Sequence, residues 1–278
     1  MPHVTPRKSA LRTVLEWYLP LGAVWLLGCV ASVICVPISL AVAIHASLWS
    51  SEAASRPRVT IEDHRPGQGR EGEKDTLLLV HGWPDSPRLW DGVVQGLVAK
   101  GYRCLVASMP GAQGDRVDSA TTLEDVSDAL WEELVRYERK PVTLLIHDWG
   151  AVFGFLLAER YPESVTRIAA LEVGGHYALD GVPLQESLAL LGCHIVLACA
   201  FLVGWPVGTY GVRALAWLWG YPPARPYSEL TADMSCHDLS LFFSEAVRMW
   251  KNQSLRPSPS LDYSPAERQG PCLFVYGN

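Results

Sequence analysis

At 278 residues, 49% hydrophobic and with a formal net charge of −6, the chain is long enough for one domain with a sizeable core plus an appendage. It has no basic stripe or lysine-rich tail, which argues against nucleic acid as a partner. Its seven cysteines lie singly with no CxxC pair, so neither a disulfide framework nor a structural zinc site is expected.

From Trp17 to Ser51 there is no Asp, Glu, Lys or Arg, a run of 35 residues. Its centre, LGAVWLLGCVASVICVPISLAVAI (21–44), exceeds the roughly 20 apolar residues that cross a bilayer as a helix and lacks the polar face of a soluble helix. It is also longer than the apolar part of a cleaved signal peptide. Residues 1–50 are therefore expected to anchor the chain in a membrane, as a single pass or, through a turn at Pro37, as a hairpin. An endomembrane is the expected location. Arg7, Lys8 and Arg12 precede the run and Arg56 and Arg58 follow it, a slight bias towards a cytoplasmic N-terminus. Residues 51–74, rich in Arg, Glu, Pro and Gly, read as a polar linker or a first strand.

Strands and helices then alternate. TLLLV (76–80) is a short apolar run suited to a strand buried on both faces. RLWDGVVQGLVAKG (88–101) has helical spacing and ends on glycine, and YRCLVAS (102–108) is the next strand. TLEDVSDALWEELVRYERK (122–140) predicts an amphipathic helix that opens with Thr122 and Asp125 as a capping box. PVTLLI (141–146) is a strand, AVFGFLLAERYP (151–162) a helix and VTRIAALEV (165–173) a strand. Such alternation predicts a mostly parallel, doubly wound sheet. Cys104 and Cys272 fall in strand-like runs and read as small core residues.

Between Gly174 and Gly270 the pattern turns helical, aromatic and proline-punctuated, as suits a lid above the sheet. A second uncharged run, Ser187 to Val212, is long enough to span a membrane, but Gly192, Gly204, Pro206 and Gly208 interrupt it. A buried or membrane-dipping lid helix is the favoured reading. PCLFVYG (271–277) resumes strand character.

With HGWPD at 81–85 and HDWGA at 147–151, the sequence resembles the α/β-hydrolase superfamily and, within it, the epoxide hydrolase and haloalkane dehalogenase branch. The resemblance implies a core over 75–177, a helical lid over 178–270 and the start of the last part of the core at 271–278. It makes Asp148 the nucleophile, in a sharp strand-to-helix turn. A carboxylate there can open an epoxide or displace a halide, forming an ester on Asp148. The N–H groups of Trp83 and Trp149 would form the oxyanion hole. His81, Gly82, Pro84, His147 and Gly150 support the two motifs, and Glu172 is a candidate acid partner for a catalytic histidine. Arg167 is an alternative partner for that glutamate. Neither a metal nor an organic cofactor is implied, and the expected partners are a lipophilic small molecule and the bilayer.

Epoxide hydrolases protonate the opening ring with two lid tyrosines. In the corresponding stretch, SEAVRMW (244–250), Val247 stands where one of them is expected. Tyr177, Tyr210, Tyr221, Tyr227 and Tyr263 are the other lid tyrosines, without a recognisable motif. The family's base histidine follows the last strand, and none of the eight histidines of this sequence holds that late position. Little or no turnover is therefore expected of the chain as it stands. A shortened product of a longer coding region is favoured over a membrane-tethered pseudohydrolase, and a haloalkane dehalogenase-like activity is the alternative to epoxide opening.

Overall fold

In β2 (Thr76–Val80) and β3 (Arg103–Ser108) every residue is buried, but alternate residues enter different cores. Leu78, Val80, Leu105 and Ala107 face one, while Leu77, Leu79, Cys104 and Val106 face the other. A sheet covered on both sides requires such continuous apolar runs. A computed structural model of the chain describes residues 56–67, 74–112, 117, 121–172, 192, 196–218, 234–241, 243 and 272–275. The expected membrane segment and much of the expected lid lie outside them. Among the described residues no helix is long and apolar enough to cross a membrane.

The sheet has six strands in the order β1-β3-β2-β4-β5-β6, with β1 (Thr60–His64), β4 (Val142–His147), β5 (Val165–Leu171) and β6 (Cys272–Val275) completing it. All neighbours are parallel except β1, which runs antiparallel to β3. The fold is that of an α/β hydrolase, with a mostly parallel sheet. The stretch read as linker or first strand thus contains a strand. β6 leaves Leu273 and Val275 exposed.

Helix α1 (Asp91–Ala99), entered through a turn of 3-10 helix at Pro87–Trp90, covers one face with Trp90 and Val94. Helices α2 (Leu123–Tyr137) and α3 (Trp149–Arg160) cover the other. The capping box of α2 is present: Thr122 Oγ1 accepts from the Asp125 N–H at 3.1 Å, and Asp125 Oδ2 accepts from the Thr122 N–H at 2.9 Å. Two ring planes, Trp131 of α2 and Tyr161 at the end of α3, stack with centroids 4.3 Å apart and hold the pair together.

The chain leaves β2 towards β3 on one side and returns to β4 on the other. The sheet order therefore diverges between β2 and β4, which is where open α/β sheets leave a crevice beyond the strand ends. The loop carrying Trp83 and the turn carrying Asp148 flank that crevice.

Above it lie the described parts of the expected lid: helical residues 196–203, α4 (Val207–Leu218) and a 3-10 turn at Cys236–Leu239. The uncharged run of 187–212 is thus broken by the turn at 204–206. Leu197, Val212, Leu215 and Leu239 form a small core of their own, against which the rings of Trp83 and Trp149 pack.

Candidate active site

Asp148 ends β4 and begins α3 with φ 52 and ψ −125, a conformation costly for a residue with a Cβ. The Asp148 C=O accepts from the Ala151 N–H at 2.9 Å, so the chain enters α3 at once. Two glycines let the turn close. A Cβ on Gly150 would collide with the carbonyl oxygens of Val80 and His81, and one on Gly82 with the Asp148 carboxylate and the Trp149 nitrogen. The glycines of the two sequence motifs thus bring the turn and the loop after β2 into contact.

That contact places one oxygen of the carboxylate. The N–H of Trp83 donates to Asp148 Oδ1 at 2.9 Å, and the N–H of Trp149, at the start of α3, also hydrogen-bonds to the carboxylate. Burial raises the Asp148 pKa above the usual carboxylate range, against the opposing pull of those two amides and of His147. Part of the residue's surface remains accessible, so the crowding comes from close walls rather than full enclosure.

His81 is almost completely buried. The Met109 N–H donates to its Nε2 at 3.2 Å, which leaves Nδ1 as the donor to the Gly82 carbonyl at 2.9 Å. Burial holds its pKa below the ordinary value, so the ring is neutral with both nitrogens engaged. It ties the end of β2 to the residue after β3, a positioning role. Pro84 follows Trp83 through a cis peptide.

His147 lies between two carboxylates: Nε2 is 3.1 Å from Glu172 Oε2, and Nδ1 is 3.4 Å from Asp85 Oδ2. Glu172 itself has φ 67, at the end of β5, and its side chain is 64% exposed. Its partner is therefore His147. Arg167, the alternative, pairs with Asp75 at 2.6 Å instead. Asp85, the last residue of the HGWPD motif, received no role from sequence reasoning, although the motif itself was the signal that marked it.

A cavity of about 40 Å³, bounded by His81, Trp83, Met109, Trp149, Phe153 and Leu241, lies beside these groups. It has room for a few water molecules. Asp238, on the 3-10 turn of the lid, also reaches it. Of the lid tyrosines, Tyr210 is 65% exposed on the outer surface of α4, away from the cavity, which removes it as a proton donor in this arrangement. Tyr177, Tyr221, Tyr227 and Tyr263 lie outside the described residues. Among the described residues no group of three or more His, Cys, Asp or Glu could hold a metal ion.

Residues 75–185 match the alpha/beta hydrolase fold family. A haloalkane dehalogenase from Sphingobium indicum is 34% identical over 134 residues, covering 45% of this chain and 44% of the other. An epoxide hydrolase from Neurospora crassa is 35% identical over 100 residues, covering 34% and 29%. The chain thus spans less than half the length of these curated relatives. An epoxide hydrolase from Bacillus megaterium, solved with its diol product, superposes with a TM-score of 0.61 at 17% identity over 82% of each chain, a likeness of fold. Residues 75–185 thus carry the alpha/beta hydrolase fold, and over this stretch the chain is similar to haloalkane dehalogenases and epoxide hydrolases.

Proposed function

We propose that the chain is the catalytic portion of a membrane-anchored, epoxide hydrolase-like enzyme in which Asp148 is alkylated by a lipophilic substrate. The observation that carries this reading is the Trp83 N–H on Asp148 Oδ1 at 2.9 Å, in a turn where the aspartate holds a strained φ of 52. With Oδ1 held by the Trp83 amide, Oδ2 is the oxygen taken to attack. It forms a C–O bond to an epoxide carbon, the ring C–O bond breaks, and the ring oxygen takes a proton from water to become an alcohol, a proton returned when the ester is hydrolysed to the carboxylate. The product is an ester whose carbonyl oxygen is the former Oδ1. That oxygen stays on the Trp83 amide, beside the N-terminus of α3, where negative charge develops when water adds to the ester carbon. Water then releases the diol and restores the carboxylate.

The slow step is the second one. His81 has both ring nitrogens engaged, and both nitrogens of His147 lie against carboxylates. Among the described residues beside Asp148 neither ring is placed as a base, and general-base assistance is worth roughly 10²–10⁴ in rate. The ester should therefore accumulate on this chain. Incubation with a styrene-oxide-like substrate tests the proposal. One substrate mass should be added to the peptide carrying Asp148, and none in Asp148→Asn. A full-length protein that yields neither adduct nor diol, yet binds apolar ligands saturably, would instead be a pseudohydrolase.

Haloalkane dehalogenation is the second reading, supported by the likeness to the Sphingobium indicum enzyme and by Glu172 at the end of β5. In that case carbon–halogen cleavage gives an alkyl ester on Asp148, lacking the hydroxyl that an epoxide leaves, with release of halide. Halide release from a haloalkane, in the absence of epoxide turnover, would favour it.

A further inference from the structure

Helix α4, VGTYGVRALAWL, is apolar on both sides. Its inner face, with Val212, Leu215 and Ala216, is buried against the site. Its outer face carries Val207, Tyr210, Ala214 and Trp217, spaced i, i+3, i+7 and i+10, and all are exposed. Trp205, in the preceding turn, is 75% exposed, and Val203 lies beside it in sequence, also exposed.

The two polar side chains that could have served the outer face are turned inward or along it. Thr209 is buried, and its Oγ1 accepts from the Cys236 N–H at 3.2 Å. Arg213 donates from Nε and Nη2 to the Met234 carbonyl oxygen at 3.2 and 3.1 Å, with its guanidinium 6.0 Å from the Tyr210 ring centre. A helix on a water-facing surface shows the reverse arrangement, polar outward and apolar inward. The exposed set is also chemically distinctive. Two tryptophans, one tyrosine and two valines match the side chains that sit at the boundary between headgroups and acyl chains.

We infer that the outer face of the lid, residues 203–217, docks into the headgroup boundary of a lipid bilayer. The occupant is lipid rather than a second copy of the chain, for two reasons read from the sequence. Between Ser187 and Leu218 Arg213 is the one charged residue, and it is engaged by the Met234 carbonyl, so this stretch offers no alternating charges to specify a protein partner. The same chain carries the 35-residue uncharged run at 17–51, and a tether in the bilayer raises the effective concentration of lipid at the lid. The lid then rests on the phase in which an apolar substrate is dissolved. Because the face carries no cluster of cations, docking should depend little on ionic strength and on anionic lipid, unlike a polybasic contact.

The test uses the full chain reconstituted with phosphatidylcholine vesicles, compared with its Trp205→Phe/Trp217→Phe variant. Both residues are exposed, so the fold is not at risk. Pelleting with vesicles reports the 17–51 run. The lid is read by the emission lost in the variant, which belongs to two of the eleven tryptophans. That lost emission should be the part quenched by lipid brominated high on the acyl chain and spared by aqueous iodide, unchanged in high salt. Quenching by iodide would place the face in water and overturn the inference. Protection from both quenchers would mean that protein covers it, and would overturn it equally, as would failure of the chain to pellet. Neither quencher reads turnover, so the reaction assigned to Asp148 stands or falls separately.

Discussion

The backbone N–H of Trp83 and Oδ1 of Asp148 are 2.9 Å apart across 65 residues of sequence. They meet because β2 and β4 are parallel neighbours in register, Val80 opposite Ile146, and both loops leave at the same end of the sheet. The hydrogen bond makes the two carboxylate oxygens unequal: Oδ1 is held, and on the proposed reading Oδ2 attacks. Replacing Asp148 with Asn leaves a polar group on the amides but removes the nucleophile. Adduct formation should fall at least ~10³-fold, measured by peptide mass after epoxide treatment. The buried Cys104 thiol, pushed up to about 11 by desolvation, should carry no adduct in either protein.

The two motif glycines should fail in different ways. In Gly82→Ala the new methyl meets the Asp148 side chain and the Trp149 nitrogen, so reactivity should drop by an order of magnitude or more, because the carboxylate is displaced from its amides. In Gly150→Ala the methyl meets two backbone carbonyls that cannot rotate away. That variant should lose about 1–3 kcal/mol of stability, seen as a lowered midpoint in urea. Equal stability of Gly150→Ala and the parent would contradict this packing.

The raised pKa of Asp148 has a stability consequence of definite sign. Burial, against the Trp149 and Trp83 amides, makes the folded carboxyl hold its proton more tightly than the unfolded one. The native state therefore binds more protons, and stability rises as pH falls. The penalty is fully present above the folded pKa and is relieved on descent towards the unfolded value near ~4. Asp148→Asn should be more stable than the parent at neutral pH, by about 0.5–2 kcal/mol, and the gain should vanish in acid. Alkylation by the parent should slow as pH drops through the raised pKa.

At the opposite end of the sheet, Arg103 has the reverse effect. Its side chain is 6% exposed and bonds Asp63 at 2.9 and 2.8 Å, Glu138 at 3.1 Å and the Tyr137 carbonyl at 3.1 Å. The Arg103 hydrogen bonds lower the Asp63 pKa and outweigh its burial. For Glu138, burial is outweighed by bonds from the Lys140 N–H and Thr76 and by the Arg103 charge. These contributions are present above the unfolded pKa values near ~4 and are lost as pH falls through the lower folded ones. Arg103→Met should cost about 3–5 kcal/mol at neutral pH. The difference from the parent should shrink below pH ~4, in urea melts across that range.

Strands with two buried faces were legible as apolar runs: TLLLV is β2 to the residue, and the Thr122 capping box marked the start of α2. β1 was not distinguishable from linker because TIEDH, at the sheet edge, has one fully buried apolar residue, Ile61, among three ionisable ones. Its Asp63 is satisfied by Arg103, 40 positions away, and such a partner leaves no local trace. The same reason explains Glu172. Its motif-like strand marked the residue, but only the packing of β5 on β4 reveals that His147, rather than Arg167, sits within reach. Position 148 was legible through the resemblance of HGWPD and HDWGA to family motifs, and the structure shows why their glycines are needed: each lies where a Cβ would collide. The partnership of its neighbours was not.

Arg103 opens β3 and Asp148 follows the last residue of β4, so the ionic clamp and the buried carboxylate occupy opposite poles of neighbouring parallel strands. Evolution can therefore rewrite one pole while the other keeps the chain folded. Substitutions around the crevice can thus be accommodated without loosening the clamp at the other end of the strands.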